Sequence, residues 1–293
     1  METFEHRGDA IRFERRGQGP PVVLLHNGGT SHAIWDEVAA ALEPDHEIFA
    51  IDLLGYGASA KPESGYTLER YIEILGAFVD AQRLVRPSLV GNCMGSAMSL
   101  GLAARRPHDL SALVLVNPLT AATFSAGWLG WLLRLRRLAP GPSRALYRRL
   151  GGLRLGRFLG TQSLRFQLGA RGRARGVQRS EELCACQTSP GQLRSLLGAL
   201  DDLEHYDALD RLTPGPDFPP ICTIWGTENK VLSARAGRRL NATLRPQRAE
   251  WLAGCGHLPM LERPEEVATI VREFLAESAR PAATSRSEQA ARA

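Results

Sequence analysis

Pro87-Ser88-Leu89-Val90-Gly91-Asn92-Cys93-Met94-Gly95 places one cysteine between two glycines, directly after a short apolar run. The small and apolar residues that follow, Ser96 to Ala104, predict a helix. Together they indicate a sharp strand-to-helix turn, because flanking glycines let the backbone pass so closely that the central side chain projects into a cleft. We therefore take Cys93 as the candidate nucleophile. The helix N-terminus behind it is expected to favour the thiolate over the thiol.

Other segments supply partners for this cysteine in the order that such a site needs. Pro21–Leu25 is predicted to be a buried strand, and the glycine-rich loop His26–Thr30 follows it. Ile221–Trp225 is predicted as another buried strand, and His257 lies in a tight loop further along the chain. A histidine brought next to Cys93 could serve as its base.

The segment Asp52–Ser59 has the form D-x-x-G-x-G-x-S. With the turn around Cys93, the glycine-rich loop and the late histidine, it resembles the α/β-hydrolase superfamily, in particular the branch of epoxide hydrolases, haloalkane dehalogenases and C–C hydrolases. The resemblance covers about residues 20–118 and 219–277. It implies an α/β fold with a mostly parallel central sheet, helices on both faces and a helical cap insertion. Because this fold carries many activities, the function has to be argued from the site.

The domain organisation follows from where the alternation of strands and helices stops and resumes. A leading hairpin is predicted over Phe4–Arg7 and Ala10–Arg15, and alternation continues to Pro118. We therefore predict a core made of residues 1–118 and 207–277, an arginine-rich helical cap at 119–206, and a disordered tail at 278–293.

Composition limits the classes of function. The 293 residues carry no secretory signal and no apolar run that could span a membrane, so a cytoplasmic protein is expected. The odd number of cysteines, five, fits a reducing compartment. Cys184 and Cys186 have no second pair at ligand spacing, so we expect neither a metal nor a cofactor. A nucleic-acid partner is not expected either.

The predicted cap has an unusual charge. From Leu119 to Ser180 there are 13 arginines and no lysine, aspartate or glutamate. Within it an apolar stripe at helical spacing is interleaved with arginines; its members are Trp128, Trp131, Leu132, Leu135 and Leu138. One interpretation packs the stripe on the core and leaves the arginines solvated. The other is an anionic partner, either an acyl-carrier-protein- or coenzyme-A-linked substrate or, by peripheral contact, an anionic membrane.

The third member of the site departs from the resembled branch. That branch usually has W-G-x-x-D after the strand ending at Trp225, with an aspartate that orients the histidine; Asn229 occupies this position. The alternative acid position corresponds to Asn117, which leaves Glu228 as the one adjacent carboxylate. A cysteine nucleophile tolerates an amide, because a thiolate and an imidazolium compensate each other's charge. The prediction is a Cys93, His257, Asn229 set, with Glu228 as the alternative orienting group.

The oxyanion hole is predicted at the backbone N–H groups of Met94 and Gly28. His26 is expected to hydrogen-bond within its own loop. For Asn27 two roles stay open, an amide directed into the site or a residue that tolerates a positive φ. Side chains predicted to contact substrate are Asn27, Asn117, Glu228, Trp128 and Trp131.

The predicted chemistry is covalent acyl transfer or hydrolysis of an ester or thioester through an S-acyl enzyme. Dehalogenase and epoxide hydrolase activity are excluded, because in the resembled branch they need an aspartate where Cys93 stands. Two alternatives stay open. One is a cofactor-free cyclase, lyase or C–C-bond-forming enzyme that uses His257 as acid and base, and the other is a non-catalytic binding protein.

Overall fold

The computed structural model describes residues 1–279 and contains one eight-stranded sheet in the order β1-β2-β4-β3-β5-β6-β7-β8. The strands are Glu2–His6, Asp9–Arg16, Pro21–Leu25, Glu47–Ile51, Ser88–Asn92, Leu113–Val116, Ile221–Gly226 and Arg248–Leu252, named β1 to β8. The pairs β1·β2 and β2·β4 are antiparallel and every other pair is parallel. The predicted α/β fold with a mostly parallel sheet is confirmed.

Fourteen α-helices accompany the sheet in the described residues. In chain order, as α1 to α14, they are Asp36–Leu42, Leu68–Ala81, Met94–Arg105, Ala121–Ser125, Gly130–Leu138, Pro140–Gly151, Arg157–Gln167, Ala170–Ala174, Glu181–Thr188, Gln192–Asp201, Asp207–Asp210, Ala234–Leu244, Pro259–Glu262 and Pro264–Ala279. The central strands are buried on both faces, as continuous apolar runs in a covered parallel sheet require. One apolar cluster packs on each face of the sheet.

The termini correct two boundaries. The leading hairpin forms with β1 and β2 one or two residues longer than predicted, and Arg7 and Gly8, both with positive φ, make the two-residue turn between them. At the other end, α14 continues through Ser278 and Ala279, two residues into the predicted tail, although its last buried side chain is Leu275. The rest of the predicted tail, 280–293, lies outside the described residues.

Helices alone occupy the segment between β6 and β7, where the cap was predicted. Of the two interpretations of its apolar stripe, the one that packs the stripe on the core is wrong. In α5 the apolar stripe points to solvent, with Trp131, Leu135 and Leu138 exposed, while Arg136 is buried. The reason is an ion pair, because Arg136 Nε lies 2.6 Å from Asp201 Oδ1 on α10 and fixes the rotation of α5. Within residues 1–279, no helix has both the length and the apolar character needed to cross a bilayer.

Candidate active site

The turn between β5 and α3 holds Cys93 in a conformation that side chains rarely adopt, with φ 52° and ψ −105°. A Cβ at Gly91 would overlap the backbone of Gly95, and a Cβ at Gly95 would overlap the carbonyl of Leu25. Both positions therefore require glycine, which is the physical basis of the motif. The predicted strand-to-helix turn is present, with the Cys93 side chain at the carboxyl edge of the parallel strands.

The thiol of Cys93 is in an environment opposite to the predicted one. The residue is 7% exposed, and burial raises its pKa to about 12, although the backbone N–H of Met94 acts in the other direction. Around it stand the buried rings of Tyr56 and Tyr206, whose phenol pKa values are raised by burial and further by the neighbouring Cys93. The expected thiolate is wrong for this state, because desolvation outweighs one helix N-terminus.

His257 is held next to this turn by its main chain. Its N–H donates to the carbonyl of Gln167 at 2.6 Å, and its carbonyl accepts from Nδ2 of Asn92 at 3.3 Å and of Asn117 at 3.2 Å. Asn92 directly precedes Cys93, so one amide joins the histidine loop to the nucleophile strand. Burial lowers the pKa of His257 to about 3. At rest Cys93 is therefore a neutral thiol and His257 a neutral imidazole, and no hydrogen bond joins the two side chains, so the expected ion pair is absent.

The orienting partner predicted for His257 is engaged elsewhere. The Oδ1 atom of Asn229 accepts the N–H groups of Val231 and Leu232, each at 3.0 Å. No hydrogen bond joins Asn229 to His257 in this structure, and both Asn229 Nδ2 and His257 Nδ1 are buried without a partner among the described residues. Asn229 stabilises its own loop, because its side-chain oxygen can accept hydrogen bonds from two successive backbone N–H groups.

The two other residues considered for the acid position are also engaged. Glu228 is exposed, and its Oε2 accepts from the N–H of Ala170 at 2.8 Å, with Arg173 at 3.6 Å. It therefore holds the cap rather than the imidazole. Asn117 has Oδ1 on the N–H of Gly226 at 3.1 Å and its amide on the histidine loop, so neither end is available to a substrate. Both side chains would have to give up these hydrogen bonds to contact a substrate, and their predicted substrate contact stays a prediction.

The loop after β3 lies against the nucleophile turn. A Cβ at Gly28 would stand 3.2 Å from Met94 Sδ, which places the two predicted oxyanion residues side by side. Asn27 has no positive φ, which excludes that explanation. Its Nδ2 donates to Gly28 O and Gln167 Oε1, and its Oδ1 accepts from Thr30 and Asn92. Asn27 therefore organises the loop and its amide is not free for substrate.

His26 has the structural role expected of it. Its Nε2 accepts the N–H of Leu53 at 2.9 Å, which assigns the proton to Nδ1, 2.7 Å from the carbonyl of Asn27. Burial lowers its pKa to about 4. Trp128 and Trp131, predicted to contact substrate, are instead 71% and 57% exposed on the outside of the cap.

Sequence reasoning missed the residue that joins the cap to the histidine loop. Glu262 is 2% exposed, and its carboxylate accepts the N–H groups of Gly256 at 2.7 Å, Gly169 at 2.9 Å and Gly172 at 3.0 Å. Burial raises its pKa to about 7 in spite of these hydrogen bonds. The sequence signal that could have indicated this buried role is a single carboxylate at the end of the apolar run Leu258-Pro259-Met260-Leu261.

One group of side chains within residues 1–279 has the spacing of metal ligands, namely Glu14, His32 and Asp36. The guanidinium of Arg16 lies 2.6 Å from the first carboxylate and 2.9 Å from the second. Both carboxylates therefore already share an ion pair with Arg16, which a metal ion would have to displace.

Thiol labelling tests the neutral state of Cys93. We expect iodoacetamide to modify Cys186, the one partly exposed cysteine among the described residues, before Cys93 in the folded protein. The Cys93 rate should stay low from about pH 6 to about pH 9, whereas an accessible thiol of ordinary pKa would react faster as it ionises near 8.5. Peptide mapping by mass spectrometry gives both rates. Faster labelling of Cys93, with a rate that rises near neutral pH, would contradict the neutral thiol.

Comparisons with known proteins identify the family of a chain that has Cys93 in the turn after β5 and His257 in the loop after β8. The chain belongs to the alpha/beta hydrolase fold family, whose model matches residues 20–264. It is 28% identical over 281 residues to a 2-hydroxymuconate semialdehyde hydrolase of Pseudomonas putida, covering 92% of each chain. It is 27% identical to an uncharacterized protein of Mycobacterium tuberculosis, covering 90% of this chain and 77% of that one.

A solved meta-cleavage product hydrolase from Pseudomonas fluorescens has the same fold, with a TM-score of 0.75 and 20% identity. The match covers 95% of this chain and 98% of that one. At this identity the likeness concerns the fold.

Proposed function

We propose that this protein is a hydrolase that forms an S-acyl intermediate on Cys93. The observation that carries the proposal is the position of the thiol, on a turn with a positive φ and with the N–H of Met94 directed at it. A positive φ at a residue other than glycine costs free energy, and it persists only where the surrounding structure enforces it. A buried cysteine with a purely structural role would not need this backbone conformation. The hydrolase relative of Pseudomonas putida supports hydrolysis over transfer.

Because the thiol of Cys93 and the imidazole of His257 are both neutral at rest, the proposed first step is concerted. As the sulfur attacks the acyl carbon, His257 takes the thiol proton, a C–S bond forms, and the carbonyl electron pair moves to oxygen. The N–H groups of Met94 and Gly28 would stabilise that oxyanion. The imidazolium then returns the proton to the leaving group as its bond to the acyl carbon breaks. A water deprotonated by His257 attacks the thioester and releases acid and thiol.

The surroundings of Cys93 favour an apolar acyl group. Tyr56 and Tyr206 are buried in the same cluster as the thiol, and Leu196 from α10 lies within 3.1 Å of a Cβ placed at Gly28. An ester, a thioester or another activated carbonyl fits the proposed chemistry. A carrier- or coenzyme-A-linked acyl group belongs to the same proposal, with the cap arginines as its anion contact. Because the thiol is buried, the cap has to move for a substrate to enter.

Intact-mass measurement tests the intermediate. We expect aryl esters and acyl thioesters of several chain lengths to add one acyl mass, located on Cys93 by peptide mapping, and hydroxylamine to remove it. The Cys186→Ala variant should acylate like the wild type. Turnover that persists in Cys93→Ala without any adduct would contradict the proposal and indicate acid and base chemistry by His257 alone. An adduct confined to Cys186 would contradict it as well.

The Asn229→Asp substitution tests the missing acid. One carboxylate oxygen can keep the two backbone contacts of Asn229, and the other would replace the unpartnered Nδ2. A serine needs a stronger base than a thiol, and an acid-to-amide change costs a serine enzyme about 10⁴-fold in rate. We therefore expect Cys93→Ser to be nearly inactive and the double variant Cys93→Ser/Asn229→Asp to recover at least about tenfold in kcat/KM for an aryl ester.

The matched control replaces the exposed carboxylate, as Glu228→Gln in the Cys93→Ser background. This control should recover no activity, because Glu228 contacts Ala170 of the cap and not His257. Equal activity of the single and double variants would show that Asn229 does not face the imidazole during turnover.

A further inference from the structure

The outer surface of the cap carries a concentration of exposed apolar side chains. Ten large apolar residues are exposed in the described part of the chain, and eight of them fall between residues 128 and 159. These eight define the cap face: Trp128, Trp131, Leu135, Leu138, Leu146, Leu153, Phe158 and Leu159. Each such side chain gains about 1.5–3 kcal/mol when it is fully buried, so eight exposed apolar side chains between residues 128 and 159 favour a partner over water.

The cap face is built into the packing of α5. That helix buries Leu133 and Arg136, whereas Leu138 on the opposite side is 85% exposed. Arg136 is paired with Asp201 and lies 3.8 Å from Glu204, so rotating the helix to bury its leucines would expose this network and break the ion pair. The fold therefore holds the apolar side chains outward.

The charge around the cap face identifies the partner. Five exposed arginines between residues 128 and 165, the stretch that holds the cap face, have no ion-pair partner among the described residues, namely Arg134, Arg148, Arg149, Arg154 and Arg165. No acidic residue occurs from 119 to 180 to oppose them. A second copy of the chain docking through the same face would bring these arginines together, which costs several kcal/mol. A partner surface that is both apolar and anionic would bury the apolar side chains and attract the arginines.

We propose that the cap face binds an anionic lipid surface. Leucine and phenylalanine side chains would enter the acyl boundary, the two tryptophans would lie at the headgroup level, and the unpaired arginines would contact lipid phosphates. The proposal does not depend on the chemistry of Cys93. It would hold the enzyme at a membrane, with α7 running from Phe158 in the cap face to Gln167 beside the catalytic loop.

Vesicle co-sedimentation tests the lipid contact. We expect the wild-type protein to sediment with phosphatidylcholine vesicles containing phosphatidylglycerol, to bind pure phosphatidylcholine weakly, and to dissociate at high ionic strength. The Arg134→Gln/Arg148→Gln/Arg149→Gln variant should lose on the order of 10²-fold in affinity, since each arginine near an anionic surface contributes roughly fivefold. The Trp131→Ser/Leu135→Ser/Leu138→Ser variant should lose at least tenfold.

The loop between α2 and β5 offers a matched control at the opposite end of the parallel strands. It exposes Val85 together with Arg83 and Arg86. The Arg83→Gln/Val85→Ser/Arg86→Gln variant should bind vesicles like the wild type, and unchanged circular dichroism confirms that each variant is folded. No binding of the wild type to anionic vesicles, or equal binding by all variants, would overturn the proposal. A dimer in sedimentation velocity that the serine variant abolishes, without vesicle binding, would overturn it in favour of a second copy.

Discussion

Replacing Cys93 with alanine is expected to reduce kcat/KM for an acyl substrate by on the order of 10⁴- to 10⁶-fold, because the attacking atom is removed and water has to act without the covalent intermediate. The fold should remain, since the change deletes a single buried sulfur and keeps the same backbone conformation. Initial rates with an aryl ester, together with thermal unfolding, measure both effects.

The matched control for this result is Cys222→Ala. Cys222 is fully buried in β7, so its substitution removes an equal volume from the core without touching the turn. It should lower the free energy of unfolding by about 1 kcal/mol and leave kcat/KM unchanged. Loss of activity in both variants in proportion to their stability would show that Cys93 is a core residue and not a nucleophile.

Replacing Glu262 with alanine is expected to lower the free energy of unfolding by about 3–5 kcal/mol, because three buried N–H groups lose their acceptor. Those groups belong to Gly256 on the histidine loop and to Gly169 and Gly172 on the cap. The loss should therefore also detach the cap from the site, which hydrogen exchange at residues 168–172 would detect before global unfolding.

The pH dependence of this effect has a defined sign. In the folded protein the pKa of Glu262 is raised from its ordinary value of 4.5 to about 7, so the folded state binds its proton more tightly than the unfolded chain does. The stabilisation linked to this group is complete below about 4.5 and is lost as the pH rises through about 7. The stability difference between the wild type and Glu262→Ala should accordingly be larger at pH 5 than at pH 8. Each unit by which the pKa is raised corresponds to about 1.4 kcal/mol of free energy.

Urea unfolding across this pH range measures the difference. Glu265→Ala is the matched control, because Glu265 is an exposed carboxylate three residues away on α14. It should change stability by less than about 0.5 kcal/mol at every pH. A Glu262→Ala variant as stable as this control would show that the cap is held by other contacts.

The sequence by itself determined the fold and the position of the strand-to-helix turn around Cys93. Apolar runs such as Pro21–Leu25 and Ile221–Trp225 can be satisfied only as buried strands, and the alternation with helices makes them parallel. The turn around Cys93 was equally predictable, because Gly91 and Gly95 are needed wherever the backbone approaches itself this closely. These features depend on residues near one another in the chain, so local pattern is sufficient to identify them.

The tertiary structure alone decided the electrostatics of the site and the orientation of the cap. Whether Cys93 is a thiol or a thiolate depends on how completely Tyr56, Tyr206 and the rest of the apolar cluster exclude water from the sulfur. No sequence pattern predicts that degree of burial. The Asn229 oxygen could have faced either the imidazole or its own loop, and the two choices have the same sequence. In α5, the pairing of Arg136 with Asp201, 65 residues away, reversed the face expected from periodicity. Long-range pairing overrides a local pattern because an unpaired buried charge costs more than an exposed leucine.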